Sequence, residues 1–499
     1  NETFAIHRLT QPSWTEFGAS WNAYDVGHRL ASVDQQTSAG SQSRAFTYDG
    51  RGFLLQQRHP EKGTLGNGNV TFQSIDARGH AGRVLDGAGA WDRSFTYDAA
   101  ERLLTIVEGS APSRILKEFT YDGPGGNVLG RLHTAKRHNY VGAPFNTDYQ
   151  VTETYAYDGV GRRPSQRTTQ THIFGTAQER FEQAWSYDRG GNVVALDYPK
   201  CFGGTCPPSG TAPRTQGYAY TGSFLTGVTG FASSFSYHPS GMLNALAMSN
   251  GLSQLVFRDP DDLPRPLEIR YVQTANNAAI VASTGTYGYD SSGNVKVLNG
   301  REFLYDLVGR VKSGTVLVGA SPRTQTASYD GFGNLLSITN NGITRATPTT
   351  ATTNRVTGAS YDAAGNLTAW NGATYAYDRL NMLSQVCTSG TIASCTGENW
   401  IFAYTADDER ILEYRVGGGA FRTSIRDLSG KTLREYRLEA ASNWASFEDY
   451  IYRGDALLAS ISPTEGTRYF GTDHLGTPRF AFGTTGTLLA THTYYPYGE

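Results

Sequence analysis

A short phrase that begins with tyrosine and aspartate recurs along the chain and limits what the chain can fold into. Eleven Tyr-Asp pairs occur in the 499 residues, and in eight of them a glycine stands three residues after the aspartate. An aspartate at the first position of a type I turn can accept from the backbone two residues on, and a glycine after the turn suits the left-handed conformation of a bulge. The phrase therefore predicts a β-hairpin turn, with tyrosine closing the incoming strand. The clearest copies are Tyr48, Asp49 and Gly52; Tyr157, Asp158 and Gly161; Tyr289, Asp290 and Gly293; Tyr329, Asp330 and Gly333; and Tyr361, Asp362 and Gly365.

The segments between these turns predict strands. Segments such as SRAFTYD and TETYAYD alternate with period two, and degenerate copies of the turn fill the longer gaps. A hairpin alone is marginal in water, so successive hairpins must pair edge to edge, and a long twisted ribbon of them tends to coil. The predicted fold is all-β, with tyrosine-aspartate hairpins stacked into a continuous spiralling sheet that forms a hollow shell. Two longer departures, Lys200–Gln216 and Asn340–Gly358, are predicted to be surface loops.

Composition supports strands and turns and argues against two classes of partner. The chain has 58 Gly, 30 Tyr and 23 Phe but only 3 Met, and its formal net charge is -2 with no charge blocks. Neither a nucleic-acid footprint nor a basic membrane-binding face is visible, and no apolar run is long enough for a membrane-spanning helix. The N-terminal stretch NETFAIHRLTQPSW lacks the basic and apolar regions of a signal peptide. We expect the chain to be a portion of a longer polypeptide.

The four cysteines form two close pairs, Cys201 with Cys206 and Cys387 with Cys395. Each pair lies in a Gly/Ser/Thr-rich loop without a neighbouring histidine, which favours a local disulfide at a hairpin tip over half of a zinc site. Disulfides would place the protein in an oxidising compartment, secreted or at the cell surface.

The repeated phrase YDxxGN/R[LV] resembles the tyrosine-aspartate repeat of the Rhs family, which includes bacterial toxin-complex shells and the animal teneurins. The segments DHLGTPRFAF from Asp473 and THTYYPYGE from Thr491 resemble the approach to the Rhs-associated core. The resemblance implies a hollow β-shell that isolates a C-terminal toxin. It implies a repeat shell over residues 1–472 and the start of the core region, in the same sheet, over 473–499. The rest of the core and the toxin are absent from the sequence, so no self-cleavage residue is assigned.

Residues that could carry chemistry favour structural interpretations. Asp473 and His474 are adjacent, but neighbours on a strand face opposite sides and no nucleophile is tied to them. The cluster Asp259, Asp261 and Asp262 could ligate calcium, although its prolines and repeat register favour a turn. We therefore expect no catalytic, cofactor-binding or metal residues, no cofactor and no enzymatic activity.

The sequence favours a non-enzymatic β-shell from a secreted bacterial polymorphic toxin, which encapsulates and shields a C-terminal toxin cargo. Its expected partners are that cargo and, beyond it, a secretion apparatus, a neighbouring shell chain or surface glycans, with no nucleic acid and no membrane insertion. Two alternatives stay open: an extracellular adhesion or carbohydrate-binding surface protein, and a filament-forming structural protein.

Overall fold

The computed structural model describes residues 18–498 except positions 88, 90, 110–112, 126, 143–144, 162, 175–176, 208–210, 276–278, 319–320, 419–420 and 439–443. The N-terminal stretch considered above for a signal peptide lies outside the described residues. Every regular element that the structure describes is a β-strand, and it has no helix that could cross a membrane. The prediction of an all-β chain is confirmed.

The described strands follow one another at short intervals through the whole chain. Up to residue 202 they are β1 (Gly18–Tyr24), β2 (Leu30–Thr37), β3 (Gly40–Tyr48), β4 (Leu54–His59), β5 (Gly68–Ile75), β6 (Ala81–Asp86), β7 (Trp91–Tyr97), β8 (Leu103–Glu108), β9 (Ile115–Tyr121), β10 (Leu132–Val141), β11 (Thr147–Tyr157), β12 (Pro164–Phe174), β13 (Ala177–Tyr187) and β14 (Val193–Phe202). Up to residue 346 they are β15 (Thr215–Thr221), β16 (Phe224–Val228), β17 (Ala232–Tyr237), β18 (Leu243–Met248), β19 (Leu252–Arg258), β20 (Pro266–Gln273), β21 (Ile280–Ser283), β22 (Tyr287–Tyr289), β23 (Val295–Leu298), β24 (Arg301–Tyr305), β25 (Val311–Val318), β26 (Ser321–Tyr329), β27 (Leu335–Asn340) and β28 (Ile343–Ala346). The remainder are β29 (Thr349–Thr350), β30 (Arg355–Val356), β31 (Ser360–Tyr361), β32 (Leu367–Trp370), β33 (Ala373–Tyr377), β34 (Leu383–Cys387), β35 (Gly390–Thr391), β36 (Ser394–Cys395), β37 (Asn399–Tyr404), β38 (Arg410–Arg415), β39 (Phe421–Arg426), β40 (Thr432–Leu438), β41 (Ala445–Arg453), β42 (Ala456–Ser462), β43 (Gly466–Thr472), β44 (Pro478–Phe482) and β45 (Leu488–Thr491).

Sequence neighbours are also sheet neighbours. β1 pairs antiparallel with β2, β2 with β3, and β3 with β4, and the same order continues along the chain. The order is interrupted between β21 and β22, between β28 and β29 and between β30 and β31, which belong to different sheets of the described chain. In addition, β34 pairs with β37, because β35 and β36 form a small hairpin of their own. This serial antiparallel pairing is the stacking of hairpins that the sequence predicts.

The chain divides into two compact units. Unit 1 comprises the described residues within Asn1–Thr154, Thr171–Gly175 and Ala327–Phe421, and unit 2 those within Tyr155–Gln170, Thr176–Thr326 and Arg422–Glu499. Each unit therefore brings an early and a late portion of the chain together. This division groups residues that lie close together in space, whereas the expected boundary at residue 472 separates the repeats from the start of the core region along the sequence.

Unit 2 buries an apolar core between its early and late strands. Side chains of β13 to β20, including Leu246, Leu252 and Tyr271, pack with side chains of β40 to β44, including Ile451 and Phe482. All five are fully buried or nearly so. Within unit 2, one face of these strands is thus covered by apolar packing, because the strands present large apolar side chains to one another.

A segment predicted to be a surface loop is partly buried instead. Within Asn340–Gly358, β28 is exposed, but Arg355 is 9% exposed and its guanidinium donates to the carbonyl oxygens of Glu61, at 2.7 Å, and Thr64, at 3.0 Å. The loop interpretation is wrong for this part, because an arginine with several backbone acceptors can be buried.

The glycine of each turn is expected to matter for its backbone conformation. Gly293 has φ 87°, and a Cβ added there would have no atom within 4 Å, so Gly293→Ala should lower the free energy of unfolding by about 1 kcal/mol through backbone strain alone. Glu101 occupies the same turn position with φ 67°. Glu101→Gly should therefore stabilise the protein by up to ~1 kcal/mol. Urea unfolding followed by circular dichroism measures the free energy of unfolding of both variants. The prediction requires a decrease for Gly293→Ala and an increase for Glu101→Gly.

Candidate functional site: the tyrosine-aspartate lattice and its seams

The repeat aspartates organise their turns through Oδ1. Oδ1 of Asp49 accepts from the backbone N–H of Arg51 and of Phe53, each at 2.9 Å, and the Asp49 carbonyl accepts from Gly52 N–H at 3.0 Å. Asp290 and Asp330 form the same set of bonds, and Asp362 accepts from the N–H groups of Asn366 and Gly365. Positive φ values of 98° at Gly52, 87° at Gly293, 96° at Gly333 and 88° at Gly365 complete these turns.

The turn after Tyr157 is one residue longer. Asp158 N–H donates to the carbonyl of Arg163, and Oδ1 of Asp158 accepts from the N–H groups of Gly161, at 3.1 Å, and Arg163, at 2.8 Å. Tyr157 and Tyr329 end β11 and β26, as the phrase predicts. The repeat thus tolerates an inserted residue as long as the aspartate still binds the turn backbone.

In many repeats the tyrosine hydroxyl ties the hairpin to the preceding one, which sequence reasoning missed. Tyr48 donates to the carbonyl of Leu30 at 2.9 Å, and Tyr289 donates to that of Pro266 at 2.7 Å. A register shift immediately before the tyrosine, as between Thr47 and Tyr48, marks a bulge in the ladder there. Tyr361 differs, since its hydroxyl accepts from Val356 N–H at 2.9 Å. Further hydroxyl donations to earlier carbonyls come from Tyr121, Tyr187, Tyr237, Tyr305, Tyr404, Tyr452 and Tyr494.

The residue four positions after the aspartate supplies the second half of the turn. Asn294 Nδ2 donates to Oδ2 of Asp290 at 2.9 Å, and Arg310 Nε donates to Oδ2 of Asp306 at 2.5 Å. The hydrogen bonds from Asn294 help to hold the pKa of the Asp290 carboxyl below its usual value. The recurrent Asn or Arg after the turn glycine was the available signal for this contact.

Unit 1 joins its early and late strands through polar contacts, which we call the polar seam. The Asn139 amide donates to the carbonyl of Tyr404 at 3.0 Å and accepts from Tyr404 N–H at 2.9 Å. Glu108 pairs with Arg379 at 2.7 Å. Buried Gln42 donates to the carbonyl of Ala351 at 2.8 Å. The seam relies heavily on backbone acceptors, so it specifies the register between strands that are far apart in sequence.

A buried charge cluster lies at one end of the polar seam. Arg137, whose side chain is fully buried, forms ion pairs with Asp378 and Asp408 through different guanidinium nitrogens. Lys117 also pairs with Asp408, at 2.8 Å. Burial lowers the pKa of Lys117, although Asp408 opposes that shift. Removing one member of such a cluster leaves buried charge without its partner.

Unit 2 joins its strands by buried tyrosines and arginines beside its apolar core. Tyr271 donates to the carbonyl of Thr472 at 3.1 Å and accepts from Thr472 N–H at 2.8 Å. Arg434 pairs with Asp449 at 2.5 Å and donates to the carbonyl of Pro199 at 2.8 Å. Burial raises the pKa of Tyr271 to about 12. These hydroxyls therefore stay protonated and able to donate at neutral pH.

Both predicted cysteine pairs form disulfides in the structure, with Cα atoms 5.6 Å apart for Cys201–Cys206 and 5.7 Å apart for Cys387–Cys395. The two differ in exposure. Cys201 is fully buried and Cys206 nearly so, whereas the hairpin β35–β36 that carries Cys395 is largely exposed. The first disulfide thus lies in a packed segment, and the second staples an exposed hairpin.

The acidic and histidine residues considered for chemistry have structural partners. Oδ1 of Asp473 accepts from the N–H groups of Leu475 and Thr477, so Asp473 is a turn aspartate. The His474 ring contacts Tyr287 edge to face, and burial lowers its pKa.

The cluster at Asp259 is a turn as well. Asp259 accepts from Asp261 N–H and from Arg265, and Asp262 pairs with Arg258. Among the described residues no group of three or more His, Cys, Asp or Glu side chains could hold a metal ion. The described residues of these turns hold strands together.

Comparison with known proteins identifies the fold. No family model and no curated protein matches the chain. The crystal structure of TcdB2-TccC3 without its hypervariable C-terminal region matches with a TM-score of 0.74 at 15% identity over 96% of this chain. The Photorhabdus luminescens Tc holotoxin pore with a TccC3 mutation matches at 0.70 and 15% over 96%, and TcdB2-TccC3-TEV at 0.69 and 16% over 96%. This chain spans 26%, 27% and 28% of those chains respectively. The resemblance to the Rhs family is therefore supported at the level of the fold.

The buried tyrosines predict loss of stability at alkaline pH. Burial raises the pKa of Tyr271, Tyr404 and Tyr452 to about 12 each. The unfolded value is about 10, so the folded state holds these protons more tightly. Their contribution is fully present below pH ~10 and should be lost as the pH rises from ~10 to ~12. Urea midpoints measured between pH 8 and pH 12 test this, and a flat profile above pH ~10 would contradict it.

At pH 8, Tyr271→Phe should lower the free energy of unfolding by about 1–3 kcal/mol, because both backbone groups of Thr472 lose their partner. Tyr24→Phe is the matched control, since Tyr24 is 49% exposed and should change stability by less than ~0.5 kcal/mol.

The buried charge cluster predicts a large effect of Arg137→Met. Asp378, with a side chain 9% exposed, would lose its cation, so the free energy of unfolding should fall by about 3 kcal/mol or more. Arg410→Met is the control, because Arg410 and Glu413 form a partly exposed pair, with side chains 46% and 25% exposed, for which we expect a loss below ~1 kcal/mol. Equal urea midpoints for the two variants would show that the cluster does not stabilise unit 1.

Proposed function

We propose that this chain is a non-enzymatic β-shell segment of a secreted bacterial toxin of the Rhs type, which encloses and shields a C-terminal toxin cargo. The observation that carries the proposal is the unbroken use of the repeat residues to tie strands together, in a fold shared with toxin-complex structures. Cargo and a neighbouring shell chain are the partners that this role requires. A secretion apparatus would deliver the assembly.

The contacts between strands support slow opening. Serial pairing leaves few free strand edges, and the polar seam and the unit 2 core link strands that are more than 200 residues apart, such as Asn139 with Tyr404 and Tyr271 with Thr472. Opening either unit breaks many such contacts together. A protein that must keep a cargo away from proteases benefits from this kinetic stability.

The use of the polar side chains supports a role without catalysis. The turn aspartates, Asp473 among them, bind backbone N–H groups. Arg137 and Lys117 together balance the charges of Asp378 and Asp408. Groups committed in this way are not available to attack a substrate or to exchange a proton with one.

The two disulfides support a secreted or surface location, because such bonds persist in oxidising compartments.

One of the disulfides also favours a second candidate function. The exposed hairpin β35–β36 is held by Cys387–Cys395, so it presents a rigid tip to solvent. Adhesion to a surface glycan or a protein would use such a tip, and a binding screen with and without substitution of Thr391 tests it.

Protection from protease tests the proposed function. We fuse a nuclease to the C-terminus of this chain and follow nuclease loss under added protease, with the free nuclease as the reference. A shell predicts at least a ten-fold slower loss in the fusion.

The control is the same fusion with Arg137→Met, which should shorten the protection because the polar seam opens more often. Loss of nuclease at the same rate in fused and free forms would overturn encapsulation, whatever the behaviour of the variant.

A further inference from the structure

In several repeats, an arginine fills the gap between the turn aspartate and the tyrosine of the next hairpin. Arg29 pairs with Asp25 at 2.6 Å, and its guanidinium lies over the Tyr48 ring at 4.9 Å. Arg102 likewise pairs with Asp98 at 2.6 Å and lies over the Tyr121 ring at 4.4 Å. Arg265 does the same between Asp259 and Tyr289. These three repeats therefore share a cation position, with a carboxylate on one side and an aromatic face on the other, whereas in the Asp290 turn the neutral Asn294 bonds to the carboxylate.

The turn at Asp427 has the same frame, which is the turn aspartate together with the tyrosine of the next hairpin, but no arginine lies between them. Oδ1 of Asp427 accepts from the N–H groups of Ser429, at 2.8 Å, and Lys431, at 2.9 Å, as in the other turns. Tyr452 donates to the carbonyl of Thr432 at 3.0 Å, so it is the tyrosine of the next hairpin. Lys431 stands where Arg29 and Arg102 stand in their repeats, four residues after the aspartate.

Lys431 does not fill the position. Its ammonium pairs with Asp455, 2.9 Å away, whose side chain is 98% exposed. Among the described residues, no side chain bonds to Oδ2 of Asp427 and no cation lies over the Tyr452 ring. The Asp427 carboxylate therefore lacks the arginine partner that Asp25 and Asp98 have, although the Ser429 hydroxyl donates to its Oδ1 at 2.8 Å and Arg426 donates to the carbonyl of Gly430 in the same turn.

A pocket of about 310 Å³ lies at this place in unit 2. Its aromatic lining goes beyond the repeat: Trp185, Tyr187, Tyr218 and Tyr220 line it together with Tyr452 and Asp427. Lys431 also lines the pocket, but its ammonium pairs with Asp455. Burial and the neighbouring charges, including that of Asp427, raise the pKa of Tyr218, so its hydroxyl stays neutral. A carboxylate among aromatic faces is the chemistry that binds organic cations.

We propose that this pocket binds the guanidinium group of an arginine side chain supplied by a partner peptide. The ligand takes the position that Arg29 and Arg102 take in their own repeats, between the carboxylate of Asp427 and the ring of Tyr452. The planar guanidinium suits both contacts, since it binds carboxylates through several N–H groups and stacks on aromatic faces. This site goes beyond the proposed shell role and does not depend on it.

Peptide titration of the whole chain tests the site. The probe is acetyl-Gly-Arg-Gly-amide, and the control is the citrulline peptide, which has nearly the same shape but no charge. Saturation-transfer NMR suits a dissociation constant on the order of 1 mM, which is reasonable for one side chain. We expect saturable binding of the arginine peptide and at least ten-fold weaker binding of the citrulline and lysine peptides.

Two variants assign the binding to this pocket. Lys431→Arg reproduces the residue found in the other repeats, so its own guanidinium should occupy the frame and weaken peptide binding at least ten-fold while the fold is kept. Asp427→Asn should weaken binding similarly, and Asp98→Asn, in a turn that has its own arginine, should not.

Equal binding of the citrulline peptide, or full binding by Lys431→Arg, would overturn the site. Equal binding of the lysine peptide would overturn the guanidinium assignment. Since the assay reads only this pocket, its failure would leave the protease-protection result unaffected, and the reverse also holds.

Discussion

The structure depends on one recurrent pair of hydrogen bonds. The turn aspartate binds the backbone of its own turn, as Asp49 does, and the tyrosine hydroxyl before it binds a carbonyl of the preceding hairpin, as Tyr48 does with Leu30. A two-stranded hairpin is marginal by itself in water. Because many of the repeat tyrosines donate to a carbonyl of the preceding hairpin, as Tyr48 and Tyr289 do, these hairpins stabilise their neighbours.

The two units contain the same hairpin repeat but join their distant strands by different contacts. Unit 1 links distant strands with polar contacts such as those of Asn139 and Arg137, whereas unit 2 adds a core that includes Leu246 and Phe482. Apolar packing gives stability with little directional information, while buried hydrogen bonds and ion pairs permit only one register. Unit 1 thus depends more on specific partners, and unit 2 on the area that it buries.

Most residues of the repeat have fixed partners within the protein, so few of their polar groups remain for binding another molecule. A repeat that departs from the pattern is therefore informative. The arginine position is filled at Asp25 and Asp98 but not at Asp427, where Lys431 pairs with Asp455 instead. One chain can serve as a β-shell and also carry a small binding site, because the lack of an arginine beside Asp427 requires no change in the pairing of the surrounding strands.

The sequence by itself determined the strand-and-turn class, the hairpin turns and the local cysteine pairs, because these depend on residues close together in the chain. The spacing of Tyr48, Asp49 and Gly52 contains a complete turn. The sequence did not reveal that the tyrosine hydroxyl reaches the previous hairpin, or that Arg355 is buried within an expected loop. Only the tertiary structure decided which distant strands meet, since the partners Arg137 and Asp378 are 241 residues apart and no local pattern relates them.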